Sequence, residues 1–295
     1  MTIEANPGTV TPEWMETAAS LGVNRVSFGM QAHQTSLLAV LGRIHTPDQV
    51  SHSVRLARAA GIDNISLDLI FGIPGQTRFQ WRESLETALS MHPRHLSIYG
   101  LIPEEGTPLY EDLKLHRLIL PDPEDERRMY DDALTLLVRN GMDQYEISNF
   151  ALNGFECLHN IGYWTQVPYL GLGVSAASMT GMRRAGDGIT YTRSTNPDSL
   201  ELYQYMTENG LSAASEQITP EDARFETLML GLRMNRGVNE QFFEQMHGIS
   251  LASYRGKMLC FLQEKGLLIH ENGCWRMTRR GFDIQNSILV ELMEN

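Results

Sequence analysis

Short β-rich runs alternate with amphipathic helical stretches over most of the chain. Residues 2–5, 25–30, 65–71 and 96–99 read as strands. The run Ile65-Ser66-Leu67-Asp68-Leu69-Ile70-Phe71 is nearly continuous in apolar character, the expectation for a parallel strand buried on both faces. Between the strands, Thr11-Pro12 opens a helix, with a good N-cap followed by proline at the first helical position. That helix ends near Gly22, and others are expected from about residue 35, over 46–60, over 79–91 and over 123–140. Such a βα repeat argues for a parallel sheet or barrel with helices outside. Ligands in such folds sit where strands end and loops begin. Here the polar residues at those ends are Glu4, Gln31 and Asp68.

Farther along, residues 144–147 read as another strand, and 149–164 as an irregular segment rich in Asn, Gly, His and aromatics. The small residues of Gly171-Leu172-Gly173-Val174-Ser175-Ala176 indicate close backbone approach, by tight packing or by a ligand. From residue 219 the pattern changes to helices near 221–234, 240–247 and 251–264. Strand-like runs at 267–270 and 274–278 flank Asn272-Gly273, a strong hairpin signal. Helices plus a hairpin resemble a winged helix. Acidic and basic residues roughly balance in this segment, so a structural or protein-contact role is expected rather than DNA readout.

Composition narrows the picture. With 295 residues, 42% hydrophobic and 20% charged, the chain can bury a sizeable core. A net charge of −12 repels phosphate backbones, which weighs against a nucleic-acid partner. No run approaches the ~18 apolar residues of a transmembrane helix. Residues 1–7 carry neither the basic nor the apolar region of a signal peptide. Three widely spaced cysteines, Cys157, Cys260 and Cys274, argue against a disulfide framework and for a reducing compartment, the cytoplasm. Residue 2 already lies inside the first strand, so the sheet reads as cut. The expectation is a missing upstream piece, then a partner chain over the edge, then a small open sheet.

Five segments together resemble the oxygen-independent coproporphyrinogen III oxidase family of the radical S-adenosylmethionine (SAM) superfamily. They are Glu4-Ala5-Asn6-Pro7-Gly8-Thr9; residues 24–31 followed by Leu41-Gly42-Arg43-Ile44-His45; residues 67–77; Tyr145-Glu146-Ile147-Ser148-Asn149-Phe150-Ala151 running into residues 157–164; and residues 171–176. The segment His159-Asn160-Ile161-Gly162-Tyr163-Trp164 resembles the HemW-like, heme-chaperone branch. The resemblance spans essentially the whole chain. It implies an α/β fold: a partial (β/α) radical-SAM barrel lacking its first strands, followed by a small α+β C-terminal domain resembling a winged helix. The expected divisions are the barrel and His-Asn-x-x-Tyr-Trp segment at 1–180, a connecting hairpin and helix at 181–218, and the C-terminal domain at 219–295.

The resemblance also implies chemistry. The family ligates a [4Fe–4S] cluster through C-x-x-x-C-x-x-C, which these residues do not contain, so the chain as written is not expected to assemble the cluster. A mis-assigned start, a fragment or a frameshift is the expected cause. Glu4, Gln31, Arg43 and Asp68 match the family's SAM-contacting positions, carboxylates for hydroxyl or amino groups and Arg43 for a carboxylate. Read by pattern alone, Glu4 and Asp68 cap helices or loops equally well and Arg43 forms a surface ion pair. Heme candidates are Cys157, His159, Tyr163 and Trp164, since thiolate and imidazole both ligate heme iron. Otherwise His159 is bonded within a loop, and Tyr163 and Trp164 are packing residues. The implied function is heme binding and transfer to an acceptor protein. Coproporphyrinogen oxidase activity and a non-catalytic scaffold are the alternatives, and a homodimer is compatible with each.

Overall fold

The computed structural model describes residues 1–185 and 188–294, which divide into two compact units, residues 1–157 and 158–295. The first unit runs β1 (Thr2–Ala5), α1 (Pro12–Ser20), β2 (Arg25–Gln31), α2 (Thr35–Val40), α3 (Pro47–Ala59), β3 (Ile65–Phe71), α4 (Arg78–Ser90), β4 (His95–Gly100), α5 (Pro108–Lys114), α6 (Pro123–Arg139), β5 (Asp143–Gln144) and β6 (Asn149–Ala151). The sheet order is β1-β2-β3-β4-β6-β5. The first four strands are parallel, and β6 and β5 close the far side antiparallel.

Local sequence explains the helix starts. Thr46 and Thr77 form capping boxes with Gln49 and Gln80, and Thr11 and Asp122 cap α1 and α6 ahead of prolines. The strands alternate strictly. Val26, Phe28, Met30, Leu67, Leu69, Leu96 and Ile98 join the core with Met15, Val54, Trp81, Leu85 and Met129 from the helices. Register puts Glu4, Ser27, Ser66, Asp68, His95 and Ser97 on the opposite face. The β3 run is buried on both faces as expected: Ile65, Leu67 and Leu69 pack toward the helices, and the inner face carries buried Ser66 and half-buried Asp68 and Ile70. Residues 144–147, expected as one strand, contribute only Gln144 to β5; a turn then leads into β6.

The second unit contains α7 (Leu158–Trp164), β7 (Ala177–Ala185), β8 (Gly188–Thr195), α8 (Leu200–Glu208), β9 (Ala214–Ile218), α9 (Pro220–Leu232), β10 (Val238–Asn239), α10 (Glu240–His247), α11 (Leu251–Glu264), β11 (Leu268–Glu271), β12 (Cys274–Met277), α12 (Arg279–Asp283) and α13 (Gln285–Glu294). One antiparallel sheet has the order β7-β8-β9 and a second the order β10-β12-β11. Asn272 and Gly273 take φ of 51° and 71° at the turn between β11 and β12, the left-handed pair that an Asn-Gly hairpin uses. Leu228, Leu232, Phe243, Leu259, Trp275 and Ile288 form the core of the helical end. At Gly171 close packing demands the small residue, since a Cβ would overlap the Ala177 carbonyl oxygen, whereas Gly173 is set by its φ of 102°. Among the described residues no helix is long and apolar enough to cross a membrane.

Candidate functional site

Glu4, Gln31, Arg43 and Asp68 come from four separate segments, and all line one pocket of about 210 Å³ that runs from the middle of β3 to the C-terminal ends of β1 and β2. Ala5, Asn6, Ser27 and Gly29 complete its wall. Parallel register sets Glu4 beside Ser27 and Gly29 beside Asp68. Beyond Gly29 the β2–β3 register shifts, and Gln31 takes φ of 62°, a left-handed conformation unusual for a residue with a side chain. The bulge folds the Gln31 amide back over Gly29, where a Cβ would stand 2.7 Å from Nε2. Gly29 is thus the space Gln31 occupies. Arg43 is exposed and donates to Asn6 Oδ1 at 3.4 Å.

Asp68 accepts from Ser27 Oγ at 3.1 and 3.2 Å. Burial raises its pKa above the usual carboxylate value; hydrogen bonds from Ser97 and Ser27 oppose the rise, and the Glu4 charge adds to it. Burial likewise raises Tyr99 and Glu146. Glu146 is fully buried, accepts from Asn149 Nδ2, and leaves Oε2 without a partner.

The inner polar layer extends beyond Glu4 and Asp68 to residues that the sequence reading did not single out. Ser66 Oγ meets His95 Nδ1 at 2.9 Å, and His95 Nε2 meets the Tyr145 hydroxyl at 2.8 Å. That hydroxyl in turn accepts from the Cys157 N–H at 3.3 Å. Burial, with the Arg25 charge, lowers the His95 pKa to about 3, so the ring is neutral. Cys157 is only 5% exposed. The period-two pattern of Arg-Val-Ser-Phe-Gly-Met-Gln and His-Leu-Ser-Ile-Tyr-Gly was the available signal.

In the second unit, the segment expected to be irregular contains the helix α7. His159 and Tyr163, four residues apart, share a face and meet edge-on with centroids 4.5 Å apart; Tyr163 meets Tyr169 the same way at 4.7 Å. Both His159 and Tyr163 are exposed. Tyr163 borders a cavity of about 610 Å³, whereas Trp164 borders a different one of about 520 Å³. The four heme candidates are therefore not one cluster.

The pocket's donor set fits part of SAM. Carboxylates suit its amino and hydroxyl groups, and Arg43 suits its carboxylate. At about 210 Å³ the space is smaller than the roughly 300–1,000 Å³ of drug-sized ligand pockets, enough for one end of the molecule. The residues do not fit an iron–sulfur cluster: Cys157, Cys260 and Cys274 are far apart in sequence and free. Among the described residues no group of three or more His, Cys, Asp or Glu side chains is placed to hold a metal ion.

Residues 1–88 match the radical SAM superfamily, and residues 218–284 match the HemN C-terminal domain. The heme chaperone HemW of Bacillus subtilis is 36% identical over 97% of this chain and 74% of its own length. HemW of Lactococcus lactis is 33% identical over 99% of this chain and 75% of its own. The chain thus spans about three quarters of these relatives. Coproporphyrinogen III oxidase (HemN) from Escherichia coli, a radical SAM enzyme, superposes with a TM-score of 0.79 over 99% of this chain and 69% of that one; at 21% identity this is likeness of fold. On these matches the chain belongs to the radical SAM superfamily and, within it, to the family of HemW heme chaperones.

Proposed function

We propose that the chain binds heme and hands it to an acceptor protein in the cytoplasm. The observation that carries this reading is the folding of His159-Asn160-x-x-Tyr163-Trp164 as α7, with the His159 ring exposed and held edge-on against Tyr163. An exposed imidazole can ligate heme iron at the surface, and a heme held there is open to a competing ligand on an acceptor. The Tyr163–Tyr169 pair fixes the platform on which the ring stands. Cys157 stays buried, so we assign it no iron contact.

The pocket at the strand ends is read as a SAM subsite. Arg43 would pair with the amino-acid carboxylate, Gln31 would hold a polar edge through its amide, and Glu4 and Asp68 would accept hydrogen bonds from amino or hydroxyl groups. SAM bound beside a reduced cluster supplies radical chemistry in the superfamily; Cys157, Cys260 and Cys274 do not form a ligand set for that cluster.

Titration of the purified chain with heme tests the first reading. A saturable Soret shift is expected, along with its transfer to a heme-free acceptor. Absence of any Soret change, also in a version extended upstream, would refute it. Equilibrium dialysis with SAM tests the second: Arg43→Ala should weaken binding about tenfold or more, the loss expected for a charge-assisted hydrogen bond of ~1.5–3 kcal/mol.

A further inference from the structure

The inner face of the first sheet carries one cation that nothing balances. Arg25 opens β2, two residues before Ser27 and four before Gly29, so it shares their face. The register sets Thr2 of β1 beside it. One step along, Ser27, Ser66 and His95 follow one another across β2, β3 and β4. Arg25 is 8% exposed. Its Nε is sealed from solvent without a partner; the two terminal nitrogens have no partner either among the described residues, but they are not sealed. A guanidinium sunk among hydroxyls and a neutral imidazole costs free energy unless an opposite charge meets it.

The acids of the inner layer do not meet it. Asp68 accepts from Ser27 Oγ instead, and the Arg25 charge is a lesser influence on it than burial or the two serines. Glu146 accepts from Asn149 Nδ2, and Glu4 is exposed beside the strand-end pocket. The Arg25 charge acts on His95 and Tyr145, a hydrogen-bonded pair that carries no countercharge. The face is therefore polarised along the strands. Asp68 is level with Gly29, about 13 Å farther along than Arg25 at ~3.3 Å per residue.

We propose that Arg25 anchors a ligand seat on this inner face, taking the carboxylate of a small monocarboxylic acid. One planar carboxylate matches the fork in charge and in shape, through two parallel N–H···O bonds. A phosphate dianion would bring one charge too many into a buried setting. The acids set the ligand's direction: carboxylate toward Arg25, uncharged or cationic part toward Glu4 and Asp68. The seat is separate from Arg43, and it depends on neither the heme nor the SAM reading.

Thermal melting of the full chain at fixed ionic strength tests it, with potassium acetate, potassium phosphate or acetamide added against potassium chloride. Acetate should raise the wild-type midpoint saturably. Acetamide, of the same shape without the charge, and phosphate should not. Arg25→Met keeps a long stem and loses the charge; its ligand-free midpoint should equal or exceed that of the wild type, and its saturable acetate response should vanish. Arg25→Lys keeps the charge without the fork, should weaken acetate about tenfold, and leaves the test standing if the methionine disturbs folding. Nitrogen NMR of the His95 ring gives a local readout, which acetate should shift in the wild type and not in Arg25→Met. Arg43→Ala should lose SAM and respond to acetate as the wild type does. The seat is overturned by a wild type indifferent to acetate, by a saturable response to phosphate alone, by an acetate response retained in Arg25→Met or lost in Arg43→Ala, or by a ligand-free Arg25→Met midpoint well below wild type. A wild type that takes acetate but not SAM overturns the SAM reading and leaves this seat in place.

Discussion

His247 should make the second unit acid-sensitive. Its ring is fully buried at the end of α10, with Nε2 2.9 Å from Thr227 Oγ1, Nδ1 without a partner, and Phe243 at 4.6 Å. Burial, then the charges of Arg224 and Arg184, lowers its pKa from 6.5 to about 4. The unfolded chain therefore takes up this proton before the folded one does. The stability contributed by the neutral ring is fully present above pH 6.5 and is lost as pH falls from there to about 4. Linkage puts the loss at ~2 kcal/mol between pH 7.5 and 5.0, and at ~3 kcal/mol once pH 4 is passed, at 1.36 kcal/mol per unit. Thr227 also donates to Gln166 Oε1, and both residues border the Trp164 cavity, so loosening here reaches that cavity. Hydrogen exchange of peptides from α9 and α10 at pH 7.5 and 5.0, corrected for intrinsic rates, reads the local opening free energy. His247→Gln should cost about 1–2 kcal/mol at pH 7.5 through the changed hydrogen bond and should remove most of the pH dependence. If wild type and variant lose protection in parallel between the two pH values, the buried histidine is not the cause.

Other perturbations separate local roles. Gly29→Ala and Gln31→Ala should each weaken SAM binding about three- to tenfold, and the double variant no more than either, because a Cβ at 29 displaces the same amide that the second change removes; additive losses in calorimetry would contradict this. Asp68→Asn should weaken SAM binding yet leave the thermal midpoint at pH 7 equal to or above wild type, since the ionised carboxylate is held at a cost in its buried setting. That advantage should shrink as pH falls through the raised pKa and the native Asp68 takes its proton; a midpoint well below wild type would refute the argument. Gly237→Ala should cost more than about 2 kcal/mol in denaturant unfolding, because φ is 70° and the added Cβ would overlap the Trp275 carbonyl oxygen; a loss under about 0.5 kcal/mol would mean the turn adapts freely.

The sequence was most legible where one physical rule acted alone. Thr-Pro and Thr-x-x-Gln starts, the glycines after helices and Asn272-Gly273 each announce an element through local geometry. It was least legible where two rules overlapped. In Ile65–Phe71 the hydrophobic content announces burial on both faces, which holds, but it masks Ser66 and Asp68, which mark the inner polar layer. β9 gives no periodic signal, because four of its five residues are exposed. Gln31 was found as a polar residue at a strand end, but its φ of 62° and its dependence on Gly29 are set by the register shift, which no composition reveals.

The His-Asn-x-x-Tyr-Trp segment shows how much a correct element changes a site. Taken as an irregular stretch, residues 159, 163 and 164 are simply close, and one ligand could touch all three. Taken as a helix, four residues of separation return to within about 40° of the same face, whereas five stand roughly 140° away, at 3.6 residues per turn. His159 and Tyr163 must then face one way and Trp164 another, and two cavities border the tyrosine and the tryptophan. A motif compact in sequence becomes a partition between two surfaces.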